Sequence, residues 1–146
     1  MVTRKCGRQH APKEQPKPLK DSFHRNDKPF RWTLAHCFWE YSGWQGISPQ
    51  FFAEHIVNKL QSYEQQTWQE ILDASGGKAE GHGSNSHFVL ATELPKSEKA
   101  QFIRRGYMND YDYVFSLRLT AKERLIGIAD LNVFHVLWFD PTHSLF

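Results

Sequence analysis

Cysteine is scarce in this 146-residue chain, which has only Cys6 and Cys37. One lies in a basic tail and the other in a predicted strand, so the two do not form a disulfide framework. Such sparse cysteine is typical of reducing compartments. No apolar run approaches the roughly 18 residues that span a bilayer, and the amino terminus lacks the apolar segment of a signal peptide. We therefore expect a cytoplasmic protein with no membrane partner.

Excess positive charge is absent from most of the chain. The first 31 residues hold nine Lys and Arg against three Asp and Glu, a net charge of +6, whereas the rest holds nine basic and thirteen acidic residues, a net of −4. Residues 1–27 contain Pro12, Pro16 and Pro18 and almost no large apolar side chain, so they cannot form a core. We predict a disordered, basic, Pro-rich tail over 1–27 and a single domain over 28–146. The tail either keeps the protein in solution or binds nucleic acid or a partner.

Motifs for metal, nucleotide and serine-nucleophile chemistry are also missing. Gly81-His-Gly is too short for a glycine-rich nucleotide loop, and no serine lies in a nucleophile elbow. His82, His87, Asp140 and His143 could together ligate zinc, but their spacing matches no zinc pattern and no cysteine accompanies them. We therefore predict chemistry that needs no cofactor, with the zinc site as the alternative.

What the chain does have is a run of three predicted strands in its last third, at 114–119, 124–130 and 133–139. These segments are rich in β-branched and aromatic residues, and their short connectors predict an antiparallel meander. Pairing Leu119 with Arg124, and Asp130 with Val133, predicts one buried apolar face. That face would comprise Phe115, Leu117, Leu119, Ile126, Ile128, Val133, Leu137 and Phe139.

The opposite face of this predicted meander mixes polar groups, small residues and aromatic rings. Gly127 and Ala129 would leave a hollow beside Arg118 and Trp138. A fully solvated face would not need the large ring of Trp138, so we interpret this face as a partly open working surface.

Helix signals precede the meander. Ser48 followed by Pro49 predicts a helix to about residue 61, and Thr67 with Glu70 forms a capping box for a second, short helix. A third helix is predicted over 95–105 with Ala100 and Ile103 facing inwards, and strands over 30–39 and 87–91. The fold class is then α+β, a small antiparallel sheet with two or three helices packed on one side.

Three cations surround the first predicted hairpin. Arg118, Lys122 and Arg124 could hold phosphates and stabilise the charge that develops on a phosphorane. The alternative is that these residues have no catalytic role. The solvent-exposed end of a hairpin commonly carries basic residues, and Arg124 could simply pair with a carboxylate.

Histidines supply candidate proton carriers, since imidazole titrates near neutral pH. His82 and His87 flank a polar loop, and His143 follows Asp140-Pro-Thr, where Asp140 could orient the ring or simply form a turn. His135 is predicted to be a hydrogen-bonded core histidine. Residues that could bind the substrate are Ser116, Arg124, Trp138 and Asp140.

The order of these elements resembles a known group of enzymes. An amphipathic helix, the capped stretch Trp68-Gln69-Glu70-Ile71, a loop, and a meander from Phe115-Ser-Leu-Arg-Leu119 to Trp138 are similar to toxin endoribonucleases of the RelE and MqsR type. These toxins belong to the barnase-like and RelE-like ribonuclease superfamily. The resemblance covers about half the chain. The basic tail, the leading strand and the terminal Asp-Pro-Thr-His depart from that pattern.

The resemblance implies that RNA is cleaved without a metal. It would make Arg118 and Lys122 phosphate stabilisers, make His82, His87 or His143 the acid or base, and imply a cognate antitoxin as partner. The competing hypothesis is a non-enzymatic module of a mobile element that binds nucleic acid or protein. Expression distinguishes the two, because a toxin should arrest its host unless the antitoxin is supplied.

Removal of the predicted tail should leave the domain folded. Because residues 1–27 have too few apolar side chains to pack, limited proteolysis should yield a stable core that starts near Lys28. A chain truncated at that point should keep the cooperative thermal transition of the full chain. Loss of that transition would mean that the tail packs against the domain.

Overall fold

A computed structural model describes residues 26–74 and 85–146, and in these two segments the chain forms a five-stranded sheet with four helices. Most of the predicted tail, with Cys6, and the loop that carries His82 lie outside the described residues. In the described segments no helix is both long enough and apolar enough to cross a membrane.

The sheet confirms the α+β class and the predicted terminal meander. Its strands have the spatial order β1-β5-β4-β3-β2, and β1 alone runs parallel to its neighbour, so the sheet is mixed. The strands are β1 (Arg31–Thr33), β2 (His87–Leu90), β3 (Tyr113–Arg118), β4 (Arg124–Asp130) and β5 (Val133–Asp140). The predicted strand over 30–39 is therefore much shorter than expected, and Cys37 lies in the loop that follows it.

Helix α1 consists of three consecutive stretches, Pro49–Phe51, Phe52–Val57 and Asn58–Tyr63, of which the middle one is π-helical. The hydroxyl of Ser48 caps it by accepting a hydrogen bond from the backbone N–H of Phe51 at 3.0 Å. Such π-helical turns frequently mark functional sites.

Three further helices complete the fold: α2 (Trp68–Asp73), α3 (Lys96–Arg104) and α4 (Tyr107–Asp110). The capping box predicted for α2 is confirmed in both of its hydrogen bonds. Helix α3 buries Glu98 and Phe102, whereas Ala100 and Ile103, which were predicted to face inwards, are both exposed. The ring of Phe102 instead approaches Trp138, with centroids 6.4 Å apart.

The predicted pairing of β3 with β4 is wrong by one residue. Arg118 pairs with Arg124 and Leu117 with Leu125, because Leu119 belongs to the connecting loop, where its N–H bonds the carbonyl of Glu123. A shift of one residue moves every side chain of one strand to the other face relative to its expected neighbours.

The second hairpin begins in the predicted register and then leaves it at a β-bulge. Ile128 pairs with His135 as expected, but Ile126 pairs with Trp138 and Gly127 with Val136. Leu137 is therefore an extra residue in β5, and the residues beyond it shift by one position.

Both faces of the sheet are buried, so the prediction of an open face is wrong. Helices α1 and α2 cover one face and α3 and α4 cover the other, because each face presents large apolar side chains. On the first face the sheet contributes Phe115, Leu117, Leu125, Phe134, Val136 and Phe139. On the second it contributes Val114, Ile126, Ile128, Leu137 and Trp138.

The predicted hollow at Gly127 does not exist. A Cβ atom at this position would lie 2.0 Å from the carbonyl oxygen of His135 and 3.0 Å from the ring of Phe134. Trp138 lies on the opposite face from Gly127. Gly127 is therefore required for close approach of β4 and β5.

Replacement Gly127→Ala should destabilise the fold strongly. Overpacking in a tight core costs about 1–3 kcal/mol or more, and here the new methyl group meets backbone that cannot rotate away. Gly46→Ala is the matched control, since a Cβ at this position would meet no other atom. Its only cost is the backbone strain of an alanine at a positive φ of 83°. Urea denaturation should show the larger loss for Gly127→Ala, and an equal loss would contradict the tight approach.

Candidate active site at the end of the sheet

A row of charged side chains crosses three neighbouring strands at one end of the sheet. Arg118 on β3 pairs with Arg124 on β4, which pairs with Asp140 on β5. Directly paired residues of neighbouring strands point to the same face. The three therefore lie together on the face covered by α3 and α4, next to Ser116, Ile126 and Trp138.

Arg124 is fully buried and organises the loop between β3 and β4. One terminal nitrogen donates to the carbonyl oxygens of Thr120 at 2.6 Å and Glu123 at 3.0 Å. Burial and the nearby charge of Arg118 lower the pKa of Arg124, and the carboxylate of Asp140 opposes them. Arg124 is too enclosed for the direct substrate contact that the sequence suggested. Its charge instead acts on the neighbouring side chains of the site.

Asp140 fixes the turn that carries His143. Its carboxylate accepts hydrogen bonds from the backbone N–H groups of Ser144 at 3.0 Å and Leu145 at 2.9 Å, and from the hydroxyl of Ser144. The carboxylate is 2% exposed. The predicted turn is therefore present, and it places His143 at the end of the row with a φ of 59°. Asp140 positions the histidine instead of reaching towards solvent.

His87 enters the same region from the edge strand β2. It pairs with Ser116, one pair away from Arg118 on the same face. Its Nδ1 lies 2.9 Å from the backbone oxygen of Asn85. Because a carbonyl only accepts, Nδ1 carries the proton, and Nε2 is left for exchange with a substrate.

The two half-buried imidazoles lie close enough to influence each other. Burial is the largest cause that lowers the pKa of His143, followed by the positive charge of Arg124, and His87 lowers it further. The Asp140 carboxylate acts in the opposite direction. His87, Arg118, Arg124, Asp140 and His143 thus form one electrostatic unit, which we name the sheet-end cluster.

Arg118 is the half-buried guanidinium of this cluster. Its backbone is held on both sides, since its N–H donates to the hydroxyl of Ser86 at 2.9 Å and its carbonyl accepts from the hydroxyl of Tyr63 at 2.6 Å. Burial raises the pKa of Tyr63, while Ser86 and the two arginines lower it. Helix α1 therefore ends against the strand that carries Arg118.

Three other residues predicted for the site do not belong to the sheet-end cluster. Lys122 is exposed in the β3–β4 loop. Ser116 is 1% exposed, and Trp138 is fully buried with its indole N–H donating to the side-chain oxygen of Gln101 at 2.9 Å. This burial contradicts direct substrate binding by Ser116 and Trp138, because both face helices and not solvent. His82 lies outside the described residues.

His135 is also not the core histidine that was expected. It is half-buried, and its ring faces that of the exposed His36, with centroids 5.4 Å apart. Burial first and His36 second lower the pKa of His135, and Asp130 opposes them.

Sequence reasoning missed two contacts near the site. His55 on α1 lies 2.7 Å from the carboxylate of Glu123 in the β3–β4 loop, a contact between residues 68 positions apart that no local pattern indicates. Tyr63, by contrast, was within reach, because the apolar stripe of α1 from Ile56 through Leu60 extends to it at helical spacing.

Residues that could hold a metal are not gathered here. Within 26–74 and 85–146, no three His, Cys, Asp or Glu side chains lie close enough to hold an ion. Burial raises the pKa of Cys37 to about 12, which makes it a poor thiolate ligand.

Comparison of the chain with protein-family models, with curated proteins and with solved structures finds no match.

The coupling of the two histidines can be measured by NMR. In His87→Gln the pKa of His143 should rise, because a neighbouring cation that opposes its protonation is gone. His36→Gln is the matched control, and it should raise the pKa of His135 and leave that of His143 unchanged. If His87→Gln and His36→Gln leave the His143 titration equally unchanged, the two rings are not neighbours in solution.

Proposed function

We propose that the chain is a metal-independent endoribonuclease of the toxin type, which cleaves RNA by transferring the phosphate to the neighbouring 2′-hydroxyl. The single observation that supports this proposal is the sheet-end cluster, where two imidazoles adjoin two guanidiniums. Such chemistry needs a base, an acid and a cation for the phosphorane, and no metal.

His143 is the base in this proposal. Its lowered pKa keeps the ring neutral at neutral pH, so it accepts the proton of the 2′-hydroxyl as that oxygen attacks phosphorus. Asp140 supports this role by holding the turn. Arg124 supports it because its positive charge lowers the pKa of His143.

His87 is the acid. Its Nδ1–H donates to the carbonyl of Asn85, which orients the ring, and a proton on Nε2 passes to the leaving 5′-oxygen as the P–O5′ bond breaks. The products are a 2′,3′-cyclic phosphate and a 5′-hydroxyl.

Arg118 stabilises the charge that develops on the phosphorane. Of the two guanidiniums in the cluster it is the one with partial exposure, and its backbone is held by Ser86 and Tyr63. A fixed cation needs little reorganisation during the reaction. Lys122, exposed on the adjoining loop, adds a mobile cation for the RNA backbone.

Activity of this kind implies a partner and a location. A toxin of this type is held inactive by a cognate antitoxin, and we place both in the cytoplasm, where mRNA is translated. The small number of cysteines agrees with that location.

Single substitutions in the cluster should abolish cleavage without unfolding the chain. In an EDTA-containing assay on single-stranded RNA, Arg118→Ala should lose about 100- to 1000-fold in rate, the usual effect of removing one charge-stabilising donor. His143→Ala should remove the acid limb of the pH–rate profile, and His87→Ala the alkaline limb. The acid limb of the parent should lie below pH 6.5, because the pKa of His143 is lowered.

Lys28→Ala is the control, since it removes an exposed charge away from the cluster. Circular dichroism should show that every variant melts like the parent. If all three cluster variants cleave RNA like the parent, the ribonuclease proposal fails, and a non-enzymatic module that binds nucleic acid or protein becomes the better account. If EDTA abolishes cleavage, the metal-independent mechanism fails and a metal-dependent one replaces it.

A further inference from the structure

A cavity of about 260 Å³ lies between the loop after β1 and the end of α3. Its walls are Phe38, Glu40 and Tyr41 on one side and Gln101, Arg104 and Arg105 on the other. We call it the Arg104–Arg105 pocket. It belongs to the same face of the sheet as the cluster, because Trp138 packs against Phe38 beneath it.

The polar floor of this pocket is fixed by hydrogen bonds. The indole of Trp138 donates to the side-chain oxygen of Gln101, which leaves the N–H donors of that amide for a ligand. Tyr41 donates to the carboxylate of Glu98 at 2.7 Å, and Glu98 is itself 7% exposed. A rigid floor of this kind binds a ligand at little entropic cost.

The pocket is also cationic. Arg104 and Arg105 are both exposed, and within the described segments neither has an ion-pair partner. The guanidinium carbon of Arg105 lies 4.3 Å from the centre of the Phe38 ring, a cation–π contact that holds this side chain at the pocket. Flat guanidinium planes stack with nucleobases, and guanidinium groups bind phosphate through paired N–H donors.

Glu40 adds a single acceptor to this set of donors. A bare anion would gain nothing from a carboxylate, whereas a nucleotide also has amino or 2′-hydroxyl donors. The pocket therefore fits a nucleotide better than inorganic phosphate, because it combines two cations, one carboxylate and a guanidinium plane on which a base can stack.

The pocket adjoins the sheet-end cluster. Trp138 and Asp140 point to the same face of β5 and are two residues apart, a separation of about 7 Å. The carboxylate of Asp140 also contributes to the raised pKa of Tyr41, after burial and Glu98. One RNA strand could therefore contact both places.

We propose that the Arg104–Arg105 pocket binds one nucleotide of a single-stranded RNA next to the scissile phosphate. Its role as a substrate subsite rests on the proposed ribonuclease function, but nucleotide binding does not. The phosphate contacts Arg104 and Gln101, the base stacks on Arg105, and Glu40 accepts a hydrogen bond from an amino group of the base.

The test is fluorescence anisotropy with a labelled 2′-O-methyl oligonucleotide, which lacks the attacking hydroxyl and is not cleaved. Arg104→Ala should weaken binding to the full chain about fivefold or more, and the slope of log K against log salt should fall by about 0.7, the value for one lost phosphate contact on a single strand. Lys96→Ala is the control. It removes the same charge from an exposed position on the same helix, outside the pocket, and should change the affinity less than twofold.

The outcomes separate this inference from the proposed function. The proposed pocket would be wrong if Arg104→Ala and Lys96→Ala weakened oligonucleotide binding equally, or if the parent chain did not bind the oligonucleotide. If Arg104→Ala weakens binding as expected but the parent does not cleave unmodified RNA, the ribonuclease proposal fails, whereas nucleotide binding by the pocket is supported. If both hold, Arg104→Ala should raise KM for long RNA while kcat stays near that of the parent.

Discussion

The extra residue in β5, Leu137, determines which side chains meet at the end of the sheet. Without the bulge, Arg124 would pair with Phe139, and Asp140 would lie one position too far along the strand. With it, Asp140 pairs with Arg124, and Leu137 and Trp138 both pack under α3 and α4. Bulges commonly redirect side chains beside active sites. The position of His143 depends on this one insertion, because Asp140 holds its turn.

Arg124 links the stability of the fold to the properties of the site. Burial of a guanidinium is costly, and here one terminal nitrogen of Arg124 bonds the carbonyls of the β3–β4 loop while the negative charge of Asp140 partly offsets that cost. The same positive charge lowers the pKa of His143. A neutral side chain at this position would loosen the loop and also make the histidine more basic, so the two roles of Arg124 are inseparable.

Local signals in the sequence were sufficient for α1, α2 and α3 but not for the short helix α4, and they were insufficient for the register of the sheet. The Ser48 cap and the capping box at Thr67 involve neighbours three residues apart, so their chemistry is visible in the sequence. The bulge and the position of Leu119 depend on how both faces of the sheet pack, and no local pattern encodes that. The burial of Trp138 and Ser116 was missed for a different reason, because the sequence did not indicate that helices cover both faces of the sheet. His87, Arg118, Asp140 and His143 were identified by residue chemistry, but their proximity required the fold.

Proton binding couples the site to the stability of the domain. The pKa values of His135 and His143 are both lowered, so the folded chain prefers these rings neutral. Their stabilising contribution is full above the unfolded pKa of about 6.5, and it is lost as pH falls through that value towards the folded pKa values. Acidification therefore protonates the proposed base and weakens the fold in the same pH range. The contribution of His135 arises at the other end of β5, beside His36, so the two effects have separate structural origins. A loss of activity in acid reports on His143 only where the domain remains folded.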